Sequence, residues 1–270
     1  MVPQRLNPRV PNSHSMPAKQ DTNAAEAPAL KELAITVVHD NYPHCDTLRT
    51  AWGFSAYVTG PERTILFDTG SDGTLLLENM AALQVKPGSV ETLVLSHVHP
   101  DHTGGLTGFL NENPHVRVYL PASFPPRFRD IVRGYGATAV EVNEPCAVCP
   151  NVYSTGILGR LVKEQALVIR TDRGLIVLTG CAHPGITGIL KTITRVREDD
   201  ILLVMGGFHL EWAAARKVKK IIAVFQSHGV RYVAPTHCSG DKTRELFQQH
   251  YRACYVDVGV GKILTLAELR

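Results

Sequence analysis

The 270-residue chain has no uninterrupted apolar run of the roughly 18 residues that a membrane-spanning helix requires. Its N-terminus has none of the apolar core of a secretory signal. Cysteines number six (Cys45, Cys146, Cys149, Cys181, Cys238 and Cys254), too sparse for a disulfide scaffold. Together these point to a cytoplasmic protein with reduced thiols and no membrane partner. An excess of charge of one sign is also lacking: 28 basic residues face 25 acidic ones, a net charge of +3. No nucleic-acid partner is expected from so mild a balance. Arg216, Lys217, Lys219 and Lys220 do cluster, but on a helical pattern, and read as a solvated face. No internal repeat is visible.

The composition is that of a globular protein, 44% hydrophobic and 20% charged. Residues 1–30 are rich in Pro, Asn, Ser and Ala without apolar periodicity and read as a disordered tail. One domain is expected over 31–270. Within it, β-branched runs at 33–39, 52–59, 64–67, 92–95 and 116–120 read as strands, and 74–83 carries helical spacing. The stretch 121–150, rich in Pro and Gly, is expected to be an irregular lid or pocket wall. The second half opens with a hairpin, 166–170 and 175–178, turning at Asp172-Arg173-Gly174. Helices at 187–196, 213–227 and 243–250 then alternate with strands at 201–205, 231–234 and 263–266. Each half thus supplies strands first and helices after. Two sheets packed face to face with helices outside, an α/β αββα four-layer sandwich, cover all these apolar faces.

The strongest chemical signal is Ser96-His97-Val98-His99-Pro100-Asp101-His102-Thr103-Gly104-Gly105, directly after a buried strand. In extended chain, residues two apart point the same way, so His97 and His99 can meet on one metal. Asp101 and His102 follow the turn at Pro100 and can face a second. Four donors in six residues are costly without a cation. Protonated imidazoles repel, and neutral buried ones need many partners. Imidazole and carboxylate ligands suit zinc, with Mn2+ or Fe2+ as alternatives.

This segment resembles the His-x-His-x-Asp-His signature of the metallo-β-lactamase superfamily. Asp40-Asn41, Trp52-Gly53-Phe54-Ser55, Phe67-Asp68-Thr69-Gly70, the blocks starting at Gly180 and Gly206, and Pro235-Thr236-His237-Cys238-Ser239-Gly240 extend the likeness. They resemble the branch named for 7,8-dihydropterin-6-methyl-4-(β-D-ribofuranosyl)aminobenzene 5′-phosphate synthase, also called metal-dependent hydrolases of the β-lactamase superfamily II. The resemblance implies that Asp68 hydrogen-bonds the histidine loop rather than the metal. It further implies that His183 completes the first set with His97 and His99, and that His237 completes the second with Asp101 and His102. It puts Cys181 where dinuclear relatives carry a bridging Asp, so that Cys181 is either a thiolate ligand or a small buried residue.

His209 follows the flexible Gly206-Gly207 and reads as a proton donor or substrate contact, with a ligand role as the alternative. Cys238 and Ser239 are expected to line the same pocket. Cys146 and Cys149 form a C-x-x-C pair with no second pair to complete a zinc site. The expected activity is metal-assisted hydrolysis, with one or two ions activating water, Asp101 orienting it and His209 protonating the leaving group. A phosphoester of a pterin- or nucleotide-like small molecule is the substrate class that the resemblance implies. An iron oxidoreductase and a non-catalytic metal-binding member of the fold are the alternatives.

Overall fold

A computed structural model describes residues 27–197 and 199–270. The first half runs β1 (Ala34–Asp40), β2 (Phe54–Thr59), β3 (Ile65–Phe67), α1 (Gly73–Ala82), β4 (Thr92–Val94), α2 (Pro100–Thr103), α3 (Leu106–Glu112), β5 (Arg117–Pro121), α4 (Pro126–Gly134) and β6 (Thr138–Val142). The second runs β7 (Cys146–Cys149), β8 (Val152–Ser154), β9 (Leu167–Thr171), β10 (Gly174–Thr179), α5 (Ile186–Val196), β11 (Ile201–Gly207), α6 (Ala215–Ser227), β12 (Tyr232–Thr236), α7 (Asp241–Tyr251) and β13 (Ile263–Thr265).

Seven strands form one sheet in the order β13-β1-β2-β3-β4-β5-β6, and six form the other in the order β12-β11-β10-β9-β8-β7. Strands β3 to β6 are mutually parallel, as are β10 to β12. The final strand crosses back to pair with β1, so both chain halves contribute to the first sheet.

Side-chain alternation explains the layers. In β3, Ile65 and Phe67 enter the core between the sheets while Leu66 faces the outer helices. In β10, Ile176 and Leu178 face inward and Val177 outward. Strands apolar on both faces must be covered on both. Leu76, Met80 and Phe109 from α1 and α3 cover the first sheet. Ile189, Ile193, Ile222 and Phe225 from α5 and α6 cover the second. The result is the αββα sandwich expected from the pattern.

Two expectations meet different facts. Residues 121–150 do not form an irregular lid: they build α4, β6 and β7. The prolines 125 and 126 lie at the start of α4, where a missing N–H costs nothing, instead of breaking structure. Gly136, at φ 93°, then turns the chain into β6. The disordered tail expected over 1–30 lies, for residues 1–26, outside the described residues. Residues 27–30 follow β9: the Ala27 carbonyl accepts from Arg170 Nη2, the Pro28 carbonyl accepts from Asn151 Nδ2 at 2.8 Å, and Leu30 bridges Thr171. Among the described residues, no helix is long and apolar enough to cross a membrane.

Candidate metal centre

The metal-type side chains emerge where parallel strands of both sheets end. From the first sheet, β4 leads into Ser96 and His97, and α2 carries Asp101 and His102. From the second, β10 leads into Cys181 and His183, β11 into His209, and β12 into His237 and Cys238.

The loop after β3 secures the histidine segment. Asp68 adopts φ 59°, a conformation that Asp tolerates better than most residues. Its Oδ1 accepts from Ser96 N at 2.6 Å and its Oδ2 from Ser96 Oγ at 2.7 Å. Oδ2 also lies 2.8 Å from His102 Nδ1. Thr69 donates from both N and Oγ1 to the His102 carbonyl, at 2.9 and 3.0 Å. Glycine at 180 is required here, because a Cβ would strike Ser96 Oγ and crowd Asp68.

These contacts set the tautomers. Ser96 gives its hydroxyl proton to Asp68, so at 2.9 Å it accepts from His97 Nδ1. His102 Nδ1 donates to Asp68, and His237 Nδ1 donates to Asn41 Oδ1 at 3.0 Å. Each of these rings therefore turns the Nε2 lone pair to the centre. His102 Nε2 and His237 Nε2 face each other at 3.2 Å, and Asp101 Oδ2 lies 3.2 Å from His237 Nε2. Facing lone pairs and a carboxylate need a positive charge between them. On the other side, His99 Nδ1 lies 3.1 Å from His97 Nε2 and 3.2 Å from His183 Nε2. Nitrogens bound tetrahedrally to one cation at about 2.0–2.1 Å sit about 3.3 Å apart. The spacing and chemistry of the donors thus fit a divalent metal.

The donor sets are His97-His99-Asp101, His97-Cys181-His183 and Asp101-His102-Cys181-His237, with ligand atoms within 4.8 Å of one another in each. All six histidine and aspartate residues expected as ligands come together, and Cys181 belongs to two of these sets. Its Sγ lies 3.2 Å from His102 Nε2.

Electrostatics follow the packing. Burial, reinforced by neighbouring imidazoles, lowers the His97 pKa well below the usual value. Burial also lowers His102, but Asp68 and Asp101 override it and lift the pKa to about 10. Burial raises Asp101, yet hydrogen bonds from His102 and His237 hold it far below the ordinary carboxylate range. Burial takes His183 down to about 4, helped by His209 and His99. A cation held at this centre would take the place of the His102 proton.

Beyond these sets, His209 packs its ring 4.4 Å from that of His183 and hydrogen-bonds Cys238, which raises the imidazole pKa. The hydrogen bond with Cys238 also drives the Cys181 thiol upward, and Cys181 in turn holds Cys238 low. Ser239, expected to contact substrate, is fully buried and turned inward. Its Oγ accepts from Phe208 N at 3.0 Å and approaches the Gly206 carbonyl at 3.4 Å, so the turn after β12 consumes it. Cys146 and Cys149 lie on β7, pack in the core between the sheets, and belong to none of the donor sets among the described residues.

Sequence reasoning missed Glu164 and Gln165. Buried Glu164 accepts from three consecutive backbone amides, Cys181 and Ala182 through Oε1 at 2.9 and 2.8 Å and His183 through Oε2 at 2.8 Å. Burial pushes its pKa up to about 7 against the pull of those amides. Gln165 accepts from Ser154 Oγ at 2.5 Å and gives its Nε2 to the Leu95 carbonyl at 2.9 Å, beside His97. Neighbouring residues thus hold one metal loop each. The only signal in the chain was a polar pair set before the apolar run of β9. The place of Trp52 was missed as well: it is 46% exposed, with its ring 4.8 Å from that of His237.

The chain is similar to known proteins to different depths. The metallo-beta-lactamase superfamily profile matches residues 53–190. The 7,8-dihydropterin-6-methyl-4-(beta-D-ribofuranosyl)-aminobenzene-5'-phosphate synthase of Methanocaldococcus jannaschii is 26% identical over 250 residues, covering 76% of this chain and 85% of the relative. An uncharacterised protein of the same organism is 27% identical over 241 residues, covering 77% and 91%. Among solved structures, Tm1679, a metal-dependent hydrolase of the beta-lactamase superfamily, aligns with a TM-score of 0.73 at 28% identity, covering 86% of this chain and 98% of that one. The metallo-beta-lactamase fold protein YhfI of Bacillus subtilis aligns at 0.63 with 14% identity, covering 87% and 99%, a likeness of fold alone.

Proposed function

The chain belongs to the metallo-β-lactamase superfamily, and from that premise we propose that it is a metal-dependent hydrolase acting on small phosphoesters. The observation that carries this reading is the convergence of six histidine and aspartate donors into adjoining sets, with Cys181 between them. Zinc is the proposed ion, in one or two copies, with manganese or iron(II) as substitutes. Bound divalent cations lower the pKa of a water to roughly 7 and polarise the bond under attack.

The chain's own residues then have defined tasks. Asp101, whose side chain lies against His237 and keeps 18% of its surface exposed, is placed to orient the attacking water. Ser96, Asp68 and Asn41 hold the rings of His97, His102 and His237 in fixed tautomers. Trp52 forms an aromatic wall beside His237, suited to a planar ring in the substrate. The relative's name contains a dihydropterin and a ribosyl aminobenzene 5′-phosphate, which favours pterin- or nucleotide-like phosphoesters.

The test is a panel of chromogenic phosphomonoesters, phosphodiesters, thioesters and lactones, with zinc, manganese or iron(II) supplied. Phosphoester turnover that disappears on chelation and returns with the cation is expected. No phosphoester turnover at full metal occupancy overturns the reading. Cys181 in the second set supports a second reading, an iron-dependent oxidoreductase. Elemental analysis of protein purified without added metal, alongside the ester panel, separates the two: zinc overturns the second, and iron without ester turnover favours it.

A further inference from the structure

Two donors, His209 and Cys238, lie outside the sets described above, and Cys181 faces them as well as those sets. Cys181, His209 and Cys238 present two sulfurs and an imidazole nitrogen within 4.8 Å of one another. They come from the ends of three adjacent parallel strands, β10, β11 and β12. Glycine at 207 lets the two cysteine loops approach: a Cβ there would collide with the Gly180 carbonyl and Cys238 Sγ and crowd Cys181 Cα. Each of the three loops also carries a non-glycine residue at positive φ, namely Ala182 at 58°, His209 at 52° and His237 at 49°. Such strain persists where surrounding structure imposes it, and it concentrates at functional sites. Of these residues His209 is itself a donor, and Ala182 and His237 are the chain neighbours of Cys181 and Cys238.

We propose that Cys181, Cys238 and His209 form an additional soft-donor site, adjoining the main centre through Cys181, for one thiophilic transition-metal ion of the zinc class. Two thiolates neutralise a dication, which offsets the cost of holding it beside the buried sulfurs. Thiolate and imidazole ligands select zinc-like ions over magnesium and manganese, which prefer oxygen. Both sulfurs are buried, whereas His209 is exposed, so the site opens to solvent on the imidazole side. Three protein ligands with one open position match a site able to take a further small ligand. Cys181 also faces His102, so the ion joins the main centre through a shared sulfur.

Cobalt(II) titration of the full-length, metal-stripped, reduced chain tests this, with thiolate-to-cobalt charge-transfer absorption and bound equivalents as readouts. Cys238→Ser is expected to lose one equivalent and about half of the charge-transfer intensity. His209→Asn keeps a residue that tolerates positive φ, so its fold is retained, and it is expected to weaken the same equivalent at least tenfold. Manganese is expected to leave this equivalent unfilled. Unchanged stoichiometry and absorption in both variants overturns the proposal while leaving the hydrolase reading intact. Failure of the wild-type chain to bind any cation overturns both. Neither outcome depends on turnover.

Discussion

Asp68 Oδ2 lies 2.8 Å from His102 Nδ1, with both side chains fully buried. The same carboxylate takes two hydrogen bonds from Ser96, which steers His97. One residue therefore orients rings on both sides of the metal centre. Asp68→Ala is expected to lower cation affinity about 10–100-fold, the usual loss when such a partner is removed. Competition against a chromogenic chelator measures it. Affinity equal to wild type would show that the rings hold their orientation unaided.

His97→Ala removes a donor shared by two sets. Bound metal and thermal stability should fall together, because cation binding is linked to folding. Elemental analysis alongside a thermal melt checks this. An unaltered metal content rules His97 out as a ligand.

Glu164→Gln replaces an acceptor with an amide NH2 opposite one of three N–H groups. A buried donor facing a donor costs about 1–3 kcal/mol. Urea denaturation should register a loss of that size. Loss of His183 from the site should also weaken the first metal set, whereas a purely local packing role would leave affinity untouched.

Trp52→Ala should raise KM for substrates carrying a planar ring several-fold and leave KM for ring-free phosphoesters unchanged. Steady-state kinetics on such a pair decides it. Equal effects on both would place Trp52 outside substrate recognition.

Asp40 gives a pH signature. Burial raises its pKa from 3.8 to about 6, even though Thr236 and Tyr42 donate to it. Between those values the folded chain binds more protons than the unfolded one, so stability falls as pH rises through the window. The deficit is complete above pH 6 and amounts to at most about 3 kcal/mol. Asp40→Asn retains acceptance from Tyr42 N and can donate to Thr236 Oγ1. The stability of wild type relative to this variant should therefore drop between pH 4 and pH 7 in denaturant titrations. A constant difference would mean that Asp40 titrates normally.

The fold is legible where apolar periodicity is strong. The strand signals in 33–39 and 201–205 and the helical spacing at 213–227 each correspond to an element, displaced by a residue or two at the ends. The segment 121–150 misleads because proline and glycine mark both loops and helix starts, and only tertiary packing separates the two. The cluster at His97–His102 is visible because its donors are close in sequence. Glu164 is not, since it acts on backbone amides 17 to 19 residues away. No side-chain pattern records such a contact. Ser239 misleads because a hydroxyl in a turn reads alike whether it points to solvent or to the backbone.

The donors divide between the layers: His97, His99, Asp101 and His102 hang from one sheet, and Cys181, His183 and His237 from the other. A cation gripped there would act as a rivet through the open rim of the sandwich, adding to the packing and to the few hydrogen bonds, such as Gln165 to Leu95 and His237 to Asn41, that already cross between the sheets. Chelation would then do more than silence the chemistry. It would let the two slabs part at that edge first, so that the mouth loosens while the apolar middle still holds.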